Sequence, residues 1–402
     1  MSGADVLTIG DRPSPDGHAE DILLSLTERL HRTSTRFLGY PANLDFDHTA
    51  CGPLLPVLIN NAGDPCGGDP AGLHAKPFEN ATIAWFTRLA EGDPADTYGY
   101  VTSGGSEGLL FGLSLGRHRL PNAPVYASDQ AHYGVRKAAG LLRMELVVVP
   151  SDADGAMDPD ALRMACEERG AHDARAGRSP SGAVIVATVG TTMTGAFDDV
   201  AALRRAARAA GDTHVHSDAA LGGLLAAFAP VELPWNLRHG ADSVSVSGHK
   251  FIGCPVPCGI VVTPRHLLPP LAADEYLGSS DHTLDCSRSG LAAVLLWKRL
   301  HELGTEGLRS QARRCRDTAA HAVGALARVG ANPRHVPHSI TVTFDRPPTE
   351  VCNRWHLAAQ NHRAHLLTMP HVTPETIDIM CADLAHHRGP PPSHPLSAPT
   401  EM

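Results

Sequence analysis

Lys250 is the side chain through which this sequence offers covalent chemistry. It ends Ser247-Gly248-His249-Lys250, directly after the strand-like run Ser243-Val244-Ser245-Val246. A lysine at a strand end projects into a cleft. Once desolvated, its amine loses proton affinity and can form an imine with an aldehyde. Taken alone it also fits a surface lysine beside a turn. Asp218, in His216-Ser217-Asp218-Ala219-Ala220, closes another β-run one strand–helix–strand step earlier. A carboxylate at the carboxyl end of a parallel strand sits where open α/β sheets bind ligands. Beside a heteroaromatic nitrogen it would keep that nitrogen protonated; the competing use is a helix N-cap.

Three further motifs share that placement. Thr102-Ser103-Gly104-Gly105-Ser106-Glu107-Gly108 leads into a helix, so Gly105 and Ser106 can present N–H groups and a hydroxyl to an anion. No lysine follows the glycines, which excludes a Walker-type loop, and an ordinary capped turn is the other reading. His132, in Asp129-Gln130-Ala131-His132-Tyr133, can stack on a flat ring and approach a reacting carboxylate, or serve as a satisfied structural histidine. Thr188, in Thr188-Val189-Gly190-Thr191-Thr192, can face a ring edge, or belong to a polar strand-to-loop turn. Five such motifs at strand ends, on one rim of one sheet, point jointly to a single site.

The elements that must hold them read as an α/β protein. Short β-branched runs at Val125–Ala127, Leu146–Val149, Val184–Thr188, His214–Ser217, Ser243–Val246 and Gly259–Thr263 alternate with helical segments at Glu107–Arg117, Val135–Leu142, Pro159–Arg169 and Ala201–Ala209. That alternation requires crossovers and a mostly parallel sheet. Residues 1–80 form an N-terminal segment: a loose leader over 1–19, a helix over 20–38, then a Pro/Gly/Asn-rich stretch suited to lining a pocket. Residues 81–300 form the large ligand-binding domain. Residues 301–386 form a small α+β domain, with strands at Ser339–Phe344 and His365–Met369 and helices at Glu350–Gln360 and Pro374–Ala385. The tail 387–402 is Pro-rich and is expected to be disordered.

Composition narrows the partners. The net charge is −9, with 34 basic against 43 acidic residues and 5% aromatics, so neither a basic stripe nor a base-stacking surface is present and no nucleic acid is expected. No run of about 18 apolar residues occurs, so no membrane helix is expected. The nine cysteines are scattered without a CxxC pair, which fits reduced thiols in a cytoplasm and no metal. The 24 histidines are dispersed.

In order, GGSEG, DQAHY, TVGTT, HSDAA and SGHK resemble the group II pyridoxal-phosphate (PLP)-dependent amino-acid decarboxylases, a branch of the aspartate-aminotransferase fold (fold type I). The likeness runs from about Tyr40 to Leu384. Four segments, Tyr40–Asp47, Ile59–Pro65, Ser247–Gly259 and His365–Thr373, look most like the short bacterial histidine decarboxylases and the similar serine decarboxylases. The resemblance implies PLP as cofactor, with Lys250 carrying it as a Schiff base, Asp218 at the pyridine nitrogen and His132 stacked on the ring. Gly105 and Ser106 would hold the phosphate, with Ser247 and His249 nearby, and Thr188 would face the ring. Tyr40, Asn43, His74 and His282 would line the substrate pocket, with Tyr276 and His282 as candidate proton donors. It also implies a homodimer whose active site lies at the subunit interface.

The sequence departs from the pattern in places. Pro70-Ala71-Gly72-Leu73-His74 replaces Asn-Tyr-Gly-Val-His. His282, Asp285 and Cys286 are unusual in their loop, Ser289 replaces a common Asn, and Gly134 replaces a common Ser. The expected reaction is decarboxylation of L-histidine, with L-serine or another polar amino acid as the alternative. Transamination or aldehyde-forming oxidation on the same fold, and a cofactor-free scaffold, are the competing classes.

Overall fold

The computed structural model describes residues 7–9, 11, 17–68 and 72–388. Most of the expected leader, the tail beyond 388, and Pro70-Ala71 lie outside the described residues. From the amino end run α1 (His18–Ser34), β1 (Asn60–Ala62), α2 (Lys76–Leu89), β2 (Thr97–Thr102), α3 (Gly105–Arg119), β3 (Val125–Ser128), α4 (Gly134–Leu141), β4 (Leu146–Val149) and α5 (Pro159–Arg175). Then come β5 (Ala183–Thr188), α6 (Val200–Ala206), β6 (Thr213–Asp218), α7 (Gly222–Ala227), β7 (Ser243–Ser247) and β8 (Gly259–Pro264). The chain continues with β9 (Ser287–Ser289), α8 (Gly290–Arg328), β10 (Arg334–His335), β11 (Thr341–Asp345), α9 (Thr349–Arg354), β12 (Ala358–Gln360), β13 (Arg363–Leu367) and α10 (Pro374–Arg388).

Seven strands form the large sheet in the order β2-β8-β7-β6-β5-β3-β4. Strands β7, β6, β5, β3 and β4 are mutually parallel, and only β8 opposes its neighbours β7 and β2. Six carboxyl ends therefore share one rim. β5 reads Ala-Val-Ile-Val-Ala-Thr with every residue buried, as a parallel strand covered on both faces requires. β2 was not foreseen, because Gly99 interrupts its apolar run. A Cβ at Gly99 would lie 2.5 Å from the Val261 carbonyl oxygen, so the close approach of β8 demands glycine there.

Helix ends follow local rules. Asp158 caps α5, accepting from the Asp160 N–H (2.8 Å), with Pro159 in the first turn; Asp199 caps α6 through the Ala202 N–H (2.7 Å). α8 crosses residue 300 and is interrupted at Gly304, whose φ of 58° suits glycine.

A four-stranded antiparallel sheet, β10-β11-β13-β12, forms the small C-terminal unit against α8 and α10. The helix expected over Glu350–Gln360 is corrected here. α9 ends at Arg354, His356 takes a φ of 46°, and Ala358–Gln360 pairs with β13 as a strand. A left-handed residue cannot continue a right-handed helix.

Candidate active site

Helix α3 lies on the sheet through a stripe of glycines. A Cβ at Gly105 would meet Ser247 Oγ at 2.7 Å, at Gly108 Ser245 Cβ at 2.6 Å, and at Gly116 Val184 Cγ1 at 2.8 Å; at Gly112 it would overlap the His216 ring. Spacings of three and four residues put these positions on one helical face. The bare backbone lets the helix settle and carries its amino end to the rim beside Ser247. Glu107 reaches back to accept the Ser103 N–H (2.6 Å), which closes the first turn. The N–H groups of Gly105 and Ser106 precede the first intrahelical bond and point out of the helix end.

The motifs foreseen at the strand ends converge. One cavity of ≈ 160 Å³ is lined by Gly105, Ser106, Leu109, His132, Thr188, Gly190, Thr192, Asp218, Ala220, Ser247, His249 and Lys250. Thr188, Asp218 and Ser245 are successive register partners across β5, β6 and β7, so Thr188 and Asp218 stand side by side. The Ser247 N–H bonds the Ala220 carbonyl (3.1 Å), holding the Lys250 turn next to Asp218. That turn closes on itself: Gly248 N–H donates to the Cys258 carbonyl (2.8 Å), and Cys254 N–H to the Gly248 carbonyl (3.0 Å).

The electrostatics suit a reactive amine. Burial lowers the pKa of Lys250, and the Asp218 carboxylate offsets part of that. His132 is also shifted down, by burial first and then by Lys250 and Lys137, against the opposing pull of Asp218. Its Nδ1 accepts the Gly134 N–H (3.1 Å), so the proton of the neutral ring sits on Nε2. A Cβ at Gly134 would come 2.9 Å from that Nδ1, which gives the glycine a reason.

A second cavity, ≈ 560 Å³, opens from the first across His132, Gly190, Thr192 and Lys250. Tyr40, Gln130, Met193, Leu221, Gln360 and His365 are among its walls. Of the expected pocket residues Tyr40 lies there; the other three stand outside this cavity within the single chain. Asn43 is buried, donating to the Phe251 carbonyl (2.9 Å) and accepting the Asp45 N–H (2.8 Å), so it braces the Lys250 turn from outside. His74 accepts the Lys76 N–H at the start of α2 (3.3 Å). His282 spends Nδ1 on Asp64 (3.1 Å) and Nε2 on the Pro269 carbonyl (3.1 Å). Tyr276 is 89% exposed and lines neither cavity.

Sequence reasoning passed over several supports. Asp198, fully buried, accepts the N–H groups of Thr188 and Met157, both at 2.7 Å. Glu79 and Arg288 form a buried ion pair that also engages Asn61, Val101 and Gly63, fastening the β1–β9 ribbon to the large sheet. An Asp-Asp pair after an aromatic, or a charge inside an apolar helix, was the only trace of either.

The residues present fit PLP. Thr188 Oγ1 is buried in the cavity without a hydrogen-bond partner, and the α3 start at Gly105 and Ser106 lines the same cavity with N–H groups outside any intrahelical bond, as a phosphate requires. Residues 114–333 match the pyridoxal-dependent decarboxylase conserved domain. The chain belongs to the pyridoxal-dependent decarboxylase family. It is similar to serine decarboxylase 2 of Oryza sativa subsp. japonica, 34% identical over 91% of this chain and 78% of that one. It is similar to histidine decarboxylase of Solanum lycopersicum, 35% identical over 91% and 88%, and to that of Acinetobacter baumannii (strain ACICU), 35% identical over 83% and 86%. A crystal structure of L-methionine decarboxylase from Streptomyces sp. 590 shares the fold, with a TM-score of 0.86 at 24% identity over 95% of this chain and 97% of that one. This decarboxylase is thus a PLP-dependent carboxy-lyase acting on an amino acid. Among its described residues no helix is long and apolar enough to cross a membrane.

Proposed function

We propose that this decarboxylase converts L-histidine to histamine and carbon dioxide. The size and lining of the second cavity carry this reading. At ≈ 560 Å³, with the carboxamides of Gln130 and Gln360 among apolar walls, it has room and hydrogen-bonding groups for an imidazole, far more than a hydroxymethyl group fills. L-Serine is the second reading, favoured by the serine decarboxylase relative that matches 91% of the chain.

The placement of the chain's own residues around one cavity supports the following roles. Lys250, whose proton affinity burial lowers, is the amine that would hold the cofactor aldehyde. Asp218 holds a proton at the pyridine nitrogen. Gly105 and Ser106, with Ser247 and His249 alongside, hold the phosphate, and Thr188 Oγ1 takes the partner it lacks within the chain. His132 stacks on the ring and keeps Nε2–H as its donor. Bound PLP supplies the electron sink for the pair left when the Cα–carboxylate bond breaks. The cavity walls would orient the substrate at the cofactor and exclude water.

The working form we infer is a cytoplasmic homodimer with the site at the subunit interface. α1 has no buried residue, and Leu55, Leu58 and Leu73 are 73%, 69% and 53% exposed, an apolar surface that a second copy would cover. All nine cysteines are free, as a reducing compartment allows.

The test is carbon dioxide release from each proteinogenic amino acid by the purified, PLP-loaded protein, with product identification. Histamine from histidine is expected. Ethanolamine from serine, without turnover of histidine, overturns the substrate assignment.

A further inference from the structure

The second cavity is walled by three separate pieces of chain: the arm at Gly39–Pro41, the loop after β5 at Gly190–Met193, and the small sheet at Gln360, His365 and Leu367. His365, on β13, lies where the three meet and is 2% exposed. Its Nε2 is 2.9 Å from the Gly39 carbonyl oxygen, and its Nδ1 is 3.1 Å from that of Met193. Both partners can only accept. A neutral imidazole has one N–H, so it serves one carbonyl and turns a lone pair toward the other; only the imidazolium donates to both.

A second histidine, His371 between β13 and α10, grips the same arm and shows the contrast. His371 places Nε2 on the Phe37 carbonyl (3.1 Å), and its Nδ1 accepts the Leu44 N–H (3.3 Å). The neutral ring satisfies both contacts. His371 therefore anchors the arm in its uncharged form, whereas His365 needs a second proton to complete its pair of bonds.

We propose that His365 is a positioning residue whose protonation fastens the arm at Gly39 to the loop at Met193 across the substrate cavity, so that the cavity closes more firmly in acid. The proposal rests on reading this cavity as the substrate site. The sign follows from the donor count: both bonds exist below the folded-state pKa, and one is lost above it. Burial pulls that pKa below the ordinary imidazole value, and the two carbonyl bonds restore part of the fall. Titratable groups around His365 are Tyr40 on the arm, Arg363 on β13 with its partner Asp345 on β11, and Asp129, His132, Tyr133 and Lys250 across the cavity. β12 and the Gly190–Thr194 loop bring none.

Two measurements test this. The first is amide hydrogen exchange on the PLP-loaded, substrate-free enzyme in steps from roughly pH 8 down to roughly pH 4.5, extending well below an ordinary imidazole because burial lowers this one. After correction for intrinsic rates, the arm around Gly39 and the loop around Met193 should be several-fold more protected in acid. His365→Gln, which cannot titrate, should abolish the difference. Equal protection in the wild type across that range, or a difference that persists in His365→Gln, overturns the proposal; the wild-type profile decides even if the variant fails to fold. The second is steady-state kinetics on the substrate that the amino-acid screen identifies. In His365→Gln, KM should rise about tenfold in acid with kcat nearly unchanged, the loss of one charge-assisted bond. A fall in kcat at constant KM would overturn the positioning role. The exchange measurement uses no substrate, so it separates failure of the clasp from failure of the substrate assignment.

Discussion

The carboxylate of Asp198 accepts the backbone N–H of Thr188 at 2.7 Å, directly beneath the one buried hydroxyl in the cofactor cavity that has no partner of its own. Asp198 is fully buried, and burial raises its pKa to about 7 against the opposing pull of two backbone bonds. The native state therefore binds a proton that the unfolded chain, titrating near the ordinary value of 3.8, has already released. Between those limits the folded form binds more protons, so stability falls as pH rises. Buried histidines such as His214 and His216, whose pKa values burial lowers, act in the opposite sense, so the difference between wild type and Asp198→Asn isolates the carboxyl. From roughly pH 5 to pH 7.5 the urea midpoint of the wild type should lose ground to that of Asp198→Asn; a difference that stays constant or moves the other way would contradict the assignment.

Lys250→Ala should abolish turnover and the visible absorbance of lysine-bound cofactor. Asp218→Asn should keep some cofactor binding yet lose on the order of 10²-fold or more in kcat, because a neutral amide cannot hold the ring nitrogen protonated. Activity within a few-fold of wild type in either variant would remove that residue from its role.

His132 offers two separable contributions, a flat face and the Nε2–H. His132→Phe keeps the face. Cofactor affinity measured by fluorescence titration should change little, while kcat drops about 10- to 100-fold if the donor matters in the reaction. Loss of affinity with unchanged kcat would show that the ring only packs.

Gly112→Ala places a methyl group into the His216 ring, which is itself clamped between Ser243 Oγ (2.9 Å) and Ser245 Oγ (3.1 Å) and cannot retreat. The expected cost is about 1–3 kcal/mol of stability, with weaker PLP binding as the α3 amino end lifts from Ser247. Gly140→Ala, with nothing within 4 Å of the new carbon, is the control and should be neutral or stabilising. Matching thermal midpoints for the two variants would refute the glycine-stripe argument.

Arg288→Ala leaves Glu79 charged and buried without its partner. It should cost about 3–5 kcal/mol in chemical denaturation. Arg163→Ala removes an exposed partner of Asp160 and Glu167 and should cost under about 1 kcal/mol. Similar losses from both would mean that the buried pair does not fasten the ribbon.

The central strands were readable from the residues because each is a short, nearly continuous β-branched or apolar run, and burial on both faces demands that composition. β1, β2 and β9 were not. Gly99 hides β2, and β1 with β9 is a three-residue ribbon, Asn60–Ala62 against Ser287–Ser289, whose pairing carries no local signal. The helix expected to run to Gln360 was misjudged because a left-handed turn at His356 overrides helical spacing. Within the site, Gly105, Ser106, His132, Thr188, Asp218, Ser247, His249 and Lys250 were named from motifs at strand ends, and all line one cavity. Once six strands point the same way, topology alone delivers such residues to a common rim.

Residue type and alternation were enough for the chemistry on offer: an amine, an acid, an imidazole and a helix start, each placed after a strand. Which side chains face the substrate was beyond their reach. Asn43, His74 and His282 were expected at the pocket, yet in the folded chain Asn43 binds the Phe251 carbonyl, His74 Nδ1 the Lys76 N–H, and His282 Nδ1 Asp64. His365, which drew no role from its motif, stands between two carbonyls on the cavity wall. A side chain's partners come from segments distant in sequence. Competition among those partners for each donor and acceptor is settled only when the chain packs.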